Sequence, residues 1–133
     1  MSHEEREVFE VRVAGTQRCV ASRALIASSW RARMVGLLGR RSIEAGEALI
    51  LTRCQAIHMV GMRFAIDAIF VDRAWRVVAL REALPPGWVG PPVWRADAVI
   101  EAACGTIQQA ELEVGNQLQL TAVQGHSRLD KHL

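Results

Sequence analysis

The sequence predicts an α+β domain, mainly antiparallel β. It would fold as a small curled sheet or barrel-like unit with one main amphipathic helix and a second short helix. Three observations predict this class. Short apolar runs recur along the chain, bounded by turn residues. One stretch, near residues 30–38, instead spaces its apolar residues for a helix. Most connections are too short to hold the crossover helices of a parallel fold. The length of 133 residues, half of them apolar, fits one domain with a real core. The domain is expected over residues 8–123, between flexible ends at 1–7 and 124–133.

The elements follow in order. Residues 8–13, Val-Phe-Glu-Val-Arg-Val, read as a strand, and 14–17 as a turn. Residues 18–22 return as the second strand of a hairpin. Ser28 or Ser29 can cap a helix whose apolar face carries Trp30, Met34, Leu37 and Leu38. Arg31, Arg33, Arg40 and Arg41 fall outside that stripe, and Gly39 is a natural stop. Residues 48–51 make a short buried strand. Residues 66–71 are apolar except for Asp67 and read as a central strand. A turn at 72–74 leads into a hairpin partner over 75–81. Residues 84–94 hold all four prolines and two tryptophans. Proline removes amide donors, so this is a long ordered loop folded over one open end of the sheet. A strand at 98–101, a short helix at 107–112 and a last strand at 117–123 complete the series.

Composition excludes several classes. The net charge is only +2, and 16 basic residues face 14 acidic ones. Disorder and a strong polyanion field are both excluded by that balance. Fifteen of the sixteen basic residues are arginine; the single lysine is Lys131. No apolar run reaches the ~20 residues of a membrane span. The polar, acidic start has no signal-peptide pattern, so the cytoplasm is the expected compartment. Three dispersed cysteines, Cys19, Cys54 and Cys104, form no disulfide framework.

Several residues are candidates for chemistry. Asp67 shares a strand face with Ile69 and Val71. A carboxylate there must be satisfied, by Arg63, by Arg81 or by backbone amides of a nearby loop. The structural role is an anchor; the functional one is an acid or base. Glu101 is the second carboxylate, ordinarily a salt-bridged strand residue. His58 is the only histidine within the domain and can be a base or a ligand-facing donor. The alternative is a small hydrolase-like enzyme using Asp67, Glu101 or His58, favoured if at least two of them converge in a pocket. Cys54, His58 and Met62 recur every four residues and on a helix would suit a soft cation such as Cu(I). Gly61 within the run argues against a helix, so no cofactor and no metal are expected. Trp88 and Trp94 either pack beneath their loop or contact a partner. Nucleic acid is a further alternative, because arginine suits phosphate, but no recognition motif for it is present.

One segment carries a resemblance. It runs Cys54-Gln55-Ala56-Ile57-His58-Met59-Val60-Gly61-Met62-Arg63-Phe64-Ala65-Ile66-Asp67-Ala68-Ile69-Phe70-Val71-Asp72. Met34-Val35-Gly36-Leu37-Leu38 lies upstream, and Ile100-Glu101, Gly105 and Gly115-Asn116 lie downstream. In this order and spacing, over about residues 27–121, the chain resembles the bacterial and archaeal domain of unknown function family 192. Leu38, Ala65 and Asn116 depart from that family's usual Met, Pro and Asp. The resemblance implies a compact β-rich, barrel-like domain with one main helix, and no agreed activity. Many such relatives carry export signals. The expected role is a binding or accessory module for a protein partner or small ligand. Its expected surface is the 57–64 loop with the 84–94 loop, through His58, Met62, Arg63, Asp67, Trp88, Trp94 and Glu101.

Overall fold

A computed structural model describes residues 7–27 and 40–123. Seven strands form one sheet: β1 (Val8–Val13), β2 (Cys19–Ala27), β3 (Glu47–Thr52), β4 (Ile66–Val71), β5 (Val77–Leu84), β6 (Ala98–Ala103) and β7 (Leu118–Ala122). The lateral order is β5-β4-β6-β3-β2-β1-β7. Every neighbouring pair is antiparallel except β2 with β3. The two ends of this order meet. Arg76 and Gln117 form an antiparallel bridge. Beside it the Val77 amide donates to the Asn116 carbonyl at 2.9 Å, and the Leu118 amide to the Trp75 carbonyl at 2.9 Å. The sheet thus curls round until β5 touches β7.

The fold class needs correction. Among the described residues the only helix is α1 (Thr106–Gln109), four residues long. Seven strands against one helical turn make the domain mainly β, not α+β. The amphipathic helix expected over residues 28–39 lies outside the described residues. The short helix expected over 107–112 shrinks to α1, because Glu111 takes a positive φ of 53° that ends it.

The central strands are buried on both faces, which explains their continuous apolar sequence. All six residues of β4 are buried. Alternation sorts them. Ile69 and Val71 join Ile50, Ile100, Val11 and Ile107 in one core inside the curl. Ile66, Ala68 and Phe70 join Leu49, Leu51, Val99, Met59 and Met62 in a second core outside it. Each large apolar side chain buried this way contributes roughly 1.5–3 kcal/mol.

The second core is covered by two connections, residues 53–65 and 85–96. The 85–96 connection leaves β5 beside the start of β4, since Ile66 pairs with Leu84. It returns beside the end of β4, where the Asp97 amide donates to the Val71 carbonyl at 2.7 Å. It therefore lies along a face of the sheet, not over an open end as the prolines implied.

Candidate binding surface

The two covering connections are bonded edge to edge. The Met59 amide donates to the Trp88 carbonyl at 2.7 Å, and the Gly87 amide to the Met59 carbonyl at 2.8 Å. His58 bridges Val89. The Val93 amide donates to the Gln55 carbonyl at 2.7 Å, and the Gln55 side chain to the Trp94 carbonyl at 2.8 Å. Proline explains the shape of one side. Pro85, Pro86, Pro91 and Pro92 have no amide proton, so the segment cannot pair as a continuous strand.

This layer has a buried underside and an exposed top. Met59, Met62 and Ile57 sit in the second core, and Trp88 packs half-buried against it. Gly90 lets Trp88 lie down: a Cβ there would come within 2.1 Å of the indole. On the outside, Trp94 is 74% exposed, Val89 68% and Val60 55%. His58 and Arg63 are exposed beside them, as are Arg53 and Arg95. The Val60 amide donates to His58 Nδ1 at 3.3 Å. That leaves the neutral ring's proton on Nε2.

The seven expected site residues do not form one site. His58, Arg63 and Trp94 share the exposed top, with Met62 and Trp88 beneath it. Asp67 and Glu101 lie buried on opposite faces of the sheet, and neither reaches the exposed top. Asp67 alternates with the inner residues Ile69 and Val71. Glu101 lies fully buried on the outer face, flanked across the strands by Leu49 and Ala68. No acid–base pair is formed by these carboxylates, and His58 joins neither.

Asp67 is an acceptor for three amides. Oδ1 accepts from Ala83 at 2.9 Å. Oδ2 accepts from Gly105 at 3.1 Å and Ile107 at 3.0 Å. Ala83 has a φ of 51° and sits in the bulge where β5 slips against β4. Gly105 and Ile107 belong to the start of α1, where a carboxylate satisfies orphan donors and suits the helix dipole. One side chain thus pins the bulge and the β6–α1 turn. Neither expected arginine serves it. Arg81 lies on the other face, its guanidinium 5.5 Å above the Phe70 ring, and Arg63 is exposed in the loop.

The four-residue repeat of Cys54, His58 and Met62 falls on loop, so it aligns nothing. The Cys54 thiol donates to the Ala56 carbonyl at 3.0 Å, and Met62 is a core residue. Among the described residues no cluster of three or more His, Cys, Asp or Glu side chains could hold a metal. Cys19 and Cys104 line a 220 Å³ cleft beside α1. Burial pushes the Cys104 thiol up, and the Asp67 carboxylate adds to that. A larger, open cleft of 520 Å³ carries Arg18, Glu82, Glu111 and Glu113.

Sequence reasoning missed Val60, Val89, Arg53 and Arg95 as surface residues. One signal was available: residues 53–65 and 85–96 contain no aspartate or glutamate.

The model of the DUF192 family, described as Uncharacterized ACR, matches residues 5–120. The chain belongs to this family. Among solved structures, this DUF192 domain is similar to a Sinorhizobium meliloti protein described as a "putative transcription regulator". The TM-score is 0.70 at 17% identity, over 86% of this chain and 93% of that one. It is equally similar to a Novosphingobium aromaticivorans protein of unknown function, with TM-score 0.70 and 19% identity, over 84% and 83% of the two chains. Likeness at such identity concerns the DUF192 fold alone. No curated protein matches the chain. No described helix is long and apolar enough to cross a membrane.

Proposed function

We propose that this domain is a protein-binding module whose working face is the layer made by residues 53–65 and 85–96. One observation carries the reading: two loops bonded through Met59, Gln55 and their partners expose Trp94, Val89 and Val60 along one layer, with His58 bridged to Val89. Large apolar side chains on a braced surface are costly to leave in water, and such patches mark contact sites. The composition also fits. Interface cores favour Trp, Met and Arg and disfavour Lys, Asp and Glu. Residues 53–65 and 85–96 contain both tryptophans of the proline-rich segment, two methionines and three arginines, with no lysine or carboxylate.

Site-directed photocrosslinking in the cells that make the protein tests this. A photoreactive residue at Val89 should trap one defined adduct, and Trp94→Ala should abolish it. The same residue at Val114, also exposed but near α1, is the control. Identical adducts from Val89 and Val114 would refute the reading.

A further inference from the structure

The electrical character of the same layer identifies the chemistry of what it binds; this rests on the binding reading above. Arg53, Arg63 and Arg95 are all exposed. None has an ion-pair partner among the described residues. The described ion pairs involve Arg12, Arg18, Arg23 and Arg40 instead. Arg53 and Arg95 stand at one end of the layer, next to Cys54 and Trp94. Arg63 and His58 stand toward the other. Val89 lies between, bridged to His58. Glu101 on the covered face of the sheet is fully buried, and the acids that come near the layer's surface are Asp97 and Asp72. They share a 370 Å³ cleft with Arg73 and Arg95 at one end, and Asp72 Oδ1 is already taken up by the Ala74 and Arg76 amides. The exposed glutamates Glu82, Glu111 and Glu113 line the cleft by α1, not this layer.

We propose that the partner of this layer is an acidic protein segment with apolar side chains. Its carboxylates sit opposite Arg53, Arg63 and Arg95, and its aliphatic or aromatic groups rest on Val60, Val89 and Trp94. Guanidinium forks match carboxylates in two-point geometry. The aliphatic pair Val60 and Val89 favours a protein over a phosphate backbone, which needs cations and stacking planes but no aliphatics. A polybasic membrane contact characteristically uses about four to eight cations, and three arginines fall short of it.

The test selects a random displayed peptide library on the full chain. Enriched sequences should be rich in Asp and Glu, interspersed with Leu, Phe or Trp. Replacing each arginine by Gln should weaken binding roughly twofold to fivefold, and added salt should weaken it further. Trp94→Ala should weaken the same peptides. Enriched sequences that are neutral or basic, or that ignore the arginine variants, overturn the proposal. If such sequences still depend on Trp94 and Val89, the binding reading survives without it. Enrichment no greater than on a Trp94→Ala, Val89→Ser variant overturns both. The protein is also titrated with a single-stranded oligonucleotide and with phosphatidylserine vesicles. Tighter retention of either than of the selected peptides overturns the protein assignment.

Discussion

At the scale of single residues, Asp67 and Gly90 hold positions that few side chains could take. Asp67 offers two oxygens to three amide protons. Asparagine offers one oxygen and turns an NH2 toward the remaining donors. Asp67→Asn should cost roughly 2–3 kcal/mol, lowering the melting temperature by about 10 °C or more. An unchanged melting curve would contradict the anchoring role. Gly90 is a matter of space. Because a Cβ would collide with the Trp88 ring, Gly90→Ala should lift the indole off the second core. Tryptophan fluorescence should shift to the red, and Trp88→Phe should remove that shift. The sequence made Asp67 conspicuous as a lone charge in an apolar run. It could not name the partners, because amides from residues 83, 105 and 107 are distant in the chain and carry no side-chain signature.

At the scale of elements, the strands were legible and their class was not. Residues 8–13 and 66–71 coincide with β1 and β4, since alternation or unbroken burial leaves a clear pattern. β5 runs to Leu84, past the expected end at 81, because the bulge at Ala83 interrupts the alternation. The expected α component rested on a stripe over 30–38, which lies outside the described residues, and on a short helix that shrinks to the four-residue α1. The entry to β3 has its own electrostatics. Glu47 accepts from the Glu44 amide at 3.0 Å and from Arg40 at 2.9 Å, with Arg23 at 3.7 Å. Burial pushes its carboxyl up, but that amide and the two guanidiniums outweigh burial and hold it below the ordinary value of 4.5. A carboxyl lowered by folding stabilises the protein above its unfolded value. That stabilisation is lost as pH falls through the folded value. Glu47→Gln should therefore lose up to about 1 kcal/mol at neutral pH and nothing further on acidification below 4.5. Urea titrations of both proteins at pH 7 and pH 3 check this: the gap between them should narrow at the lower pH.

At the scale of the whole molecule, closure depends on a short seam. β5 and β7 touch only near Arg76 and Gln117, helped by the Gly115 amide donating to the Val77 carbonyl at 2.8 Å. Gly115 has a φ of 102°, where a Cβ is strained. Gly115→Ala should cost about 1 kcal/mol or more. Its mark should be local: faster hydrogen exchange at the Val77 and Leu118 amides, with little change at Ile69 or Ile100. Uniform acceleration across the sheet would contradict a seam that opens by itself. The sequence implied a curled sheet but did not place the seam, whose turn at Gly115-Asn116 meets a partner strand far away in the chain. Asn116 keeps that turn by accepting from the Glu113 amide at 2.8 Å.

The Met59 backbone is gripped from across the layer by both Gly87 and Trp88, and its side chain is fully buried. The covering layer and the proposed docking face are therefore one object. A partner that clamps its top also holds the roof on the hydrophobic space beneath. Binding would then be readable without any assay of activity, as slower protease cutting within residues 85–96 and a melting point that climbs with partner concentration.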